Sequence, residues 1–417
     1  MNMNIFYIRT TVIASLLLAM ASGCKYDVAE PLWDSPPVAS TEVTITSIDP
    51  AQEAAPGVNF ITIHGTGFKG ALDTTVIHLL NGDTTNIYKG VYFDNIAANI
   101  IECTPTAIKM LRPNLSGDSI RIKIVSDAAL VAAKSDPYKI DPVMQRFGSF
   151  NDNFQINAIA VDKDENVYVL KGTTPFSVFK ITPAGGKTIV GTATKEPSDA
   201  IIGTDGKLYY LNSIFPNTKE IHMVDLQTGI DSTWYTFAPV KNVICGDFDA
   251  NGYLYTAGRK SGIQVIRPNR SRRDDGYYAT DSVLSMRVFN GYVYAATRKA
   301  IYRHSITDSS KIGSPELVLD LTNTAFGPIP LKAFSFSADG SKMYIGTNSQ
   351  YSILIVDATS TPISPNQVDI LYKAILPPYC KQFCFGDKLY MISGNVTPAV
   401  NWIVYKVDVG TSGAPNY

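Results

Sequence analysis

Two pairs of basic residues stand at matching points of a repeating pattern and are the side chains best suited to hold a ligand. Arg259-Lys260 and Arg298-Lys299 each follow a short apolar run that contains Tyr. Guanidinium groups bind carboxylates and sulfates through paired hydrogen bonds, and ammonium groups bind them as point charges. If the two runs are neighbouring repeats, the four residues form a basic rim for anionic groups. The alternative is a solvated cluster of charges without a ligand.

Amide, basic and aromatic side chains in other expected loops of the same face are further candidates for ligand contact. Aromatic rings can stack on sugars, and amides hydrogen-bond hydroxyl groups. The same aromatic residues also fit simple packing. The remaining candidates are Lys171, Phe215, Phe326, Asn348, Tyr379 and Asn395.

Residues with catalytic or metal-binding spacing are sparse. The four His residues are scattered, none has a nearby Ser or Cys motif, and there is no CxxC. Asp is frequent in the repeated turns, where it is expected to close tight hairpins. The sequence therefore predicts no catalytic residue, no metal site and no cofactor. Four cysteines are expected to be buried small hydrophobes: Cys103, Cys245, Cys380 and Cys384.

The loops that carry these candidates are positioned by a repeat. Six times after residue 150, a turn residue leads through a polar and an aliphatic residue to Tyr, at intervals of 39 to 50 residues. Short alternating strands with this period are typical of a β-propeller. The pattern resembles NHL/YncE-like propellers and predicts six blades over residues 142–417, with 144–150 supplying the missing outer edge. The repeated tyrosines are Tyr168, Tyr209, Tyr255, Tyr294, Tyr344 and Tyr390.

Residues 43–141 have a different pattern of short alternating strands and turns. Strands are expected at 43–50, 59–68, 107–110 and 119–125, and the second ends in the turn Gly65-Thr66-Gly67-Phe68. This spacing predicts a small β-sandwich. The segment resembles the IPT/TIG domain, which implies an immunoglobulin-like spacer or interaction module. The expected fold class is therefore all-β: an immunoglobulin-like sandwich followed by a six-bladed propeller.

The N-terminal residues have the composition of a targeting segment. Arg9 precedes a short apolar run, and the small residues Ala21, Ser22 and Gly23 lead to Cys24. Residues 1–23 resemble a bacterial lipoprotein signal peptide, which implies cleavage and diacylation at Cys24. Residues 24–42 then form a mildly acidic tether, and several acyl chains on one Cys anchor a protein firmly. The resemblance implies outer-membrane, lipid-anchored, cell-surface display.

The composition limits the classes of partner. The chain is 45% hydrophobic and 18% charged with net charge −1, so it has no basic excess for nucleic acid. Anchor, tether, spacer and ring together resemble accessory surface glycan-binding proteins of Bacteroidetes polysaccharide-utilisation systems. This implies a non-catalytic protein that binds a nutrient polymer, a glycan. The alternatives are a polysaccharide lyase or hydrolase, and a protein scaffold docking on an outer-membrane transporter complex.

Overall fold

The computed structural model describes residues 42–68, 74–78, 84–88, 90–125, 132–150, 154–212, 220–239, 241–308, 311–394 and 402–417. Within these residues the regular structure is β-sheet, apart from one 3-10 helix at Pro365–Gln367. The predicted all-β fold class is confirmed. The predicted signal peptide and Cys24 lie outside the described residues. The described part of the chain contains no helix long and apolar enough to span a bilayer.

The N-terminal domain is a small sandwich. One sheet has the strand order Thr44–Asp49, Phe60–Thr66, Ala107–Leu111, Ile100–Cys103; a second has Gly117–Ile120, Tyr138–Ile140, Glu53–Ala54; and a third has Ala133–Lys134, Ile122–Ile124, Val91–Phe93, Ile96–Ala97. Thr74–His78 and Thr84–Tyr88 form a separate hairpin. Alternation along the strands directs apolar residues such as Ile61, Ile63 and Ile108 into one core. The predicted strand at 119–125 is broken at Arg121.

Six sheets follow, each with the first strand at the centre of the ring and the fourth at the edge. The blades are Ile156–Val161, Val167–Lys171, Phe176–Ile181, Lys187–Ala193; Pro197–Ile202, Leu208–Asn212, Glu220–Val224, Asp231–Thr236; Val243–Phe248, Leu254–Gly258, Ile263–Ile266, Arg272–Asp275; Val283–Phe289, Tyr292–Thr297, Ala300–Asp308, Glu316–Asp320, with the extra strand Lys311–Ile312; Leu331–Phe336, Lys342–Thr347, Ile353–Asp357, Val368–Ile370; and Cys380–Phe385, Leu389–Ser393, Ile403–Val407, Met144–Arg146.

The ring closes with a strand from the N-terminal side of the propeller. Met144–Arg146 pairs antiparallel with Ile403–Val407 and becomes the outer edge of the sixth blade. The inner strand of that blade packs against the inner strand of the first blade. Because an unpaired edge strand is a liability, this pairing protects the last blade. The prediction that the segment after residue 143 supplies this edge is confirmed.

The sandwich is joined to the fifth and sixth blades through Tyr372. Its hydroxyl accepts from the amide of Gly57 at 2.6 Å and donates to the carbonyl of Asp408 at 2.7 Å. Its amide donates to Asn59 Oδ1 at 3.1 Å, and the Arg112 guanidinium lies 5.8 Å from the centre of its ring. Burial raises the pKa of Tyr372 to about 12, so the hydroxyl keeps its proton at neutral pH. One side chain therefore ties both domains together beside the closing strand.

Candidate functional site

The two ends of the propeller channel differ in which connections they carry. Each inner strand runs into the repeated turn, so all six repeated turns lie at one end, called here the turn face. The opposite end carries the loops between second and third strands and those between blades, and is called the mouth face. Loops at one end of a rigid scaffold are the usual place for ligand contacts. The predicted ligand residues that the structure describes belong to the mouth face.

Carboxylates on the turn face hold the turns. Asp162 accepts from the amides of Asp164 and Asn166 with one oxygen, and from the Tyr168 hydroxyl at 3.0 Å with the other. Asp205 and Asp249 bind the turn amides and the repeated Tyr of their own blades in the same way. The interpretation of these Asp residues as hairpin-closing groups is confirmed. The repeated Tyr adds a hydrogen bond to its packing role.

The sixth blade uses an acid from its neighbour instead. Glu165, in the first blade's turn, accepts from the Asp387 amide at 2.6 Å and from the Tyr390 hydroxyl at 3.1 Å. Its backbone φ is 60°, a left-handed conformation that points the turn toward the sixth blade. The closing seam is therefore fastened on the turn face as well as at the outer edge.

The C-terminal segment crosses the turn-face end of the channel. Ala414 donates its amide to the carbonyl of Phe336, and the Asn416 side chain donates to the carbonyl of Phe385 at 3.0 Å. Arg287 Nη1 donates to Asn416 Oδ1 at 2.9 Å. The central cavity, about 150 Å³ in volume, has Asn416 in its lining at this end. A ligand would therefore approach from the mouth face.

Six equivalent β-bulges form a ring at the mouth of the channel. The pairing of each inner strand with its neighbour shifts register directly after the first residue of the strand. A bulge redirects a side chain and is frequent beside binding sites. All six redirected residues line the central cavity. This bulge ring consists of Asn157, Ser198, Ile244, Leu284, Lys332 and Lys381.

Lys381 is the cation of the bulge ring that the surrounding residues hold in place. Its Nζ donates to the carbonyl of Ile156 at 2.7 Å and to Asn157 Oδ1 at 2.8 Å, and lies 4.3 Å from the centre of the Trp402 ring. Asn157 in turn donates to Glu196 Oε1 at 2.9 Å. Burial lowers the pKa of Lys381 to about 8, an effect that Glu196 opposes and Lys332 reinforces. The ammonium is thus oriented by the first blade and partly desolvated.

One step deeper, a hydrogen bond crosses the channel. Gln382 donates its Nε2 to Asp199 Oδ1, joining the sixth blade to the second, and accepts from the Ile159 amide of the intervening blade at 3.2 Å. Burial raises the pKa of Asp199 to about 7, although backbone amides and Gln382 favour its ionised form. Asp199 and Gln382 therefore form a polar bar below the bulge ring.

The deepest charged pair lies at the turn-face end. Asp247 Oδ2 is 3.2 Å from Arg287 Nη1 and accepts from the Val288 amide at 2.8 Å. Burial raises the pKa of Asp247, and Arg287 opposes that shift. Ser335 is 4% exposed, lines the same cavity, and its hydroxyl has no hydrogen-bond partner in the described structure. The carboxylates of Asp199 and Asp247 in the channel thus already have hydrogen-bond partners, whereas the Ser335 hydroxyl has none in the described structure.

The structure places the predicted rim residues on the mouth face. Arg259 and Lys260 follow the second strand of the third blade, and Arg298 and Lys299 follow the second strand of the fourth; all four are exposed. Their role in binding stays a prediction. Phe215 and Asn395 lie outside the described residues.

Of the other candidates, Phe326 is 39% exposed and makes an edge contact with Tyr351, with ring centres 5.8 Å apart. Lys373 Nζ lies 5.7 Å from the centre of the Tyr351 ring. Phe326, Tyr351 and Lys373 are called here the aromatic shelf. Lys171 lies over Phe154 instead, at 5.7 Å.

Asn348 and Tyr379 contribute backbone groups to the loops around the aromatic shelf. The Asn348 amide donates to the carbonyl of Pro330, and the Tyr379 amide donates to the carbonyl of Ser349. Tyr379 has a φ of 64°, and its carbonyl accepts from the Gly394 amide. Both residues therefore fix loop shape on the mouth face, whatever their side chains contact.

The cysteine prediction needs one correction. Cys245 and Cys380 are buried as expected, but Cys103 is exposed and Cys384 is only partly buried. Cys103 ends an edge strand of the sandwich whose last three residues are all exposed. All four are free thiols. Among the described residues, no three His, Cys, Asp or Glu side chains are grouped closely enough to hold a metal ion.

Comparison with known proteins agrees with the architecture. Residues 43–140 match the IPT/TIG domain. The comparison with curated proteins gives no match. Solved structures similar to the chain share low sequence identity with it.

A Bacteroides thetaiotaomicron protein of unknown function shares 12% identity, with 88% of this chain and 98% of that one covered and a TM-score of 0.48. An auxiliary nutrient binding protein from the same species shares 10%, with coverage of 88% and 98% and a TM-score of 0.46. A gluconolactonase from Xanthomonas campestris shares 8%, with coverage of 71% and 91% and a TM-score of 0.46. Likenesses at this level assign no ligand to this chain.

The bulge ring and the polar bar were not among the residues predicted from sequence. Each bulge stands at the start of the strand that precedes a repeated turn, so alignment on the turns would have placed Lys332 and Lys381 at equivalent points. The bar between Gln382 and Asp199 has no comparable signal, because it joins blades that are distant along the chain.

Proposed function

We propose that this chain is a non-catalytic capture protein that binds a nutrient polymer, a glycan, on the mouth face of its propeller. It would act at the cell surface, anchored in the outer membrane through lipidated Cys24, as an accessory of a polysaccharide-utilisation system. The observation that carries the proposal is the aromatic shelf beside an open, polar channel mouth. Exposed rings offer stacking surfaces for sugars, and the mouth supplies hydrogen-bonding groups for their hydroxyls.

The commitment of the channel carboxylates favours capture over hydrolysis. A glycosidase generally needs two carboxyl groups, one as acid and one as base or nucleophile, on either side of the scissile bond. In the described part of the channel, Asp199 is held by Gln382 and backbone amides, and Asp247 by Arg287 and the Val288 amide. These acids support the ring and are poorly placed to act on a bound sugar.

One observation favours a lyase as the second candidate. Lys381 lies at the mouth with its pKa lowered to about 8, and a lysine near this value can remove a proton at neutral pH. Product analysis separates the two functions. Capture leaves the bound polymer intact, whereas a lyase shortens it and produces unsaturated ends.

The test is a polysaccharide array containing neutral and anionic glycans, with product analysis of each hit. We expect binding without cleavage, weakened about fivefold to tenfold by Phe326→Ala, since truncation of a contact residue commonly costs about 1 kcal/mol or more. Ile230→Ala is the matched control because Ile230 is 64% exposed but lies on the outer rim. Equal loss in both variants, or cleavage of the bound polymer, would contradict the proposal.

The anchor is tested separately. Cys24→Ala should move the protein from the membrane fraction to the soluble fraction, because the acyl chains attach at that sulfur. Cys103→Ala, which removes another exposed thiol, should leave the distribution unchanged. Membrane retention of the Cys24 variant would overturn the lipid-anchor part of the proposal.

A further inference from the structure

The bulge ring is charged on one side only. Of the six bulge-ring residues, the two on the fifth and sixth blades are Lys332 and Lys381, and the other four are uncharged. Equivalent positions on adjacent blades bring the two ammonium groups to the same edge of the opening. The charge of Lys332 helps to lower the pKa of Lys381, so the two side chains lie within electrostatic reach of each other.

The two lysines differ in their partners: Lys381 is hydrogen-bonded to the first blade, and Lys332 pairs with no described acid. Lys332 is exposed and forms no ion pair with any described residue. Glu196 is the acid whose charge raises the pKa of Lys381, and it already accepts a hydrogen bond from Asn157. Two adjacent cations without an anion between them are unfavourable, and this is relieved when a ligand supplies one.

We propose that the captured glycan is anionic, and that one of its carboxylate or sulfate groups enters the channel mouth between Lys332 and Lys381. This inference rests on the proposed function and adds the chemical class of the ligand. Ammonium groups bind either anion as point charges, so the lysines recognise charge rather than one geometry. The partner is therefore a polymer whose sugars carry acid groups.

The depth of entry is limited by the channel's own acids. Below the bulge ring stands the bar of Asp199 and Gln382, and deeper still the pair of Asp247 and Arg287. The cavity of about 150 Å³ holds several water molecules, which is enough for one acid group with residual water and too little for a polymer. The anionic group thus stops at the lysines while the sugar chain lies outside.

The polymer's remaining charges meet a second set of cations. Lys260, Arg298 and Lys299 are exposed on the mouth face of the third and fourth blades, and the fourth blade adjoins the fifth, which carries Lys332. Cations on one face raise the local concentration of a polyanion and its association rate. The aromatic shelf is built by loops before, within and after the fifth blade, which also carries Lys332, so stacking and charge contacts are adjacent along the ring.

The test is titration of the whole purified chain with polygalacturonate, dextran sulfate and neutral dextran. We expect binding of polygalacturonate or dextran sulfate, and Lys332→Gln should weaken it about tenfold to a hundredfold, the usual loss for a hydrogen bond to a charged group. Which of the two anions binds identifies carboxylate or sulfate. The matched control is Lys163→Gln, an exposed lysine on the turn face, which should leave affinity within about twofold.

The outcomes separate this inference from the proposed function. Binding of neutral dextran alone, or binding of an anionic polymer unaffected by Lys332→Gln, overturns the anionic inference and leaves capture standing. Failure to bind any polysaccharide, here and on the array, overturns both. Equal losses in the Lys332 and Lys163 variants show diffuse charge attraction and also overturn the inference. Because Lys332 is exposed, its variant should fold normally, which circular dichroism will establish.

Discussion

Lysines that recur on the turn face of the propeller are paired with acids, whereas several cations on the mouth face are not. On the turn face, lysines at the start of the second strand pair with acids at the end of the third: Lys207 with Asp225 at 3.4 Å, Lys342 with Asp357 at 3.1 Å and Lys388 with Asp408 at 2.6 Å. On the mouth face, Lys260, Arg298, Lys299 and Lys332 form no such pair with any described residue.

The difference separates charges that build the ring from charges that remain available. Turn-face acids accept hydrogen bonds from backbone amides and tyrosine hydroxyls. Removing one acid leaves these donors without their acceptor and lowers the stability of the fold. Lys260, Arg298, Lys299 and Lys332 are exposed and pair with no described acid, so removing one of them should scarcely affect folding. Stability and binding should therefore respond to mutations at opposite ends of the same channel.

The largest expected effect is at the turn-face end of the channel. Arg287→Met leaves the buried Asp247 carboxylate without its cation, which typically costs about 3–5 kcal/mol of unfolding free energy. Denaturant unfolding measures the loss. Asp247→Asn combined with Arg287→Met should recover part of it, and Arg298→Met on the mouth face should change stability by less than about 0.5 kcal/mol. Similar losses in the two arginine variants would remove the distinction between the faces.

A smaller loss is expected from a single turn. Asp162→Ala removes the acceptor for two turn amides and the Tyr168 hydroxyl, at a cost of about 1.5–3 kcal/mol. Asp164→Ala in the same turn is the control, because that side chain is 65% exposed and its one ion pair with a described residue is with the exposed Lys163. Thermal melting compares the two. Loss of ligand affinity in Asp162→Ala at a temperature where it is folded would contradict the assignment of the turn face to structure alone.

Asp199 tests the comparison between the two faces, because it is a buried acid close to the mouth face that should affect stability. Its pKa of about 7 in the folded protein exceeds the unfolded value of about 3.9, so the fold favours the protonated form. Its contribution to stability is present below pH 4 and is lost as pH rises to 7, by at most about 1.4 kcal/mol per pH unit. Asp199→Asn should reduce this decline in melting scans between pH 4.5 and 8. If stability falls as steeply with pH in the variant as in the unchanged protein, a group other than Asp199 causes the fall.

The smallest effect is expected for an ion pair on the turn face. Lys342→Gln breaks the pair with Asp357, whose side chains are 42% and 43% exposed, and should cost less than about 1 kcal/mol. Added salt should shrink the difference further, because exposed charges are screened. Anionic glycan affinity should not change, in contrast to Lys332→Gln. Weakened binding in the Lys342 variant would show that the two faces do not act separately.

The architecture was predictable because its signals are local. Alternation within strands and a turn before each repeated Tyr are visible in a few consecutive residues, and they placed the six blades and the closing edge correctly. The roles of Asp162 and Tyr168 in the turns follow from the same short stretch.

The interior of the site was not predictable because it depends on ring closure. Gln382 meets Asp199, and Glu165 meets Tyr390, only once the first and last blades are adjacent. The six bulges shift side chains by one position, which strand alternation alone does not reveal. Sequence reasoning therefore found the exposed rim and missed the bulge ring inside it.

The closing strand also sets the order in which the protein can mature. Met144–Arg146 leaves the ribosome before any other part of the propeller, yet its partner, Ile403–Val407, is among the last segments synthesised. Until then a strand edge waits unpaired, a condition in which nascent chains associate wrongly. The sandwich just ahead of this strand can fold early, and an early-folded neighbour would shelter the waiting edge. The sandwich would then protect this edge while the rest of the ring is being synthesised.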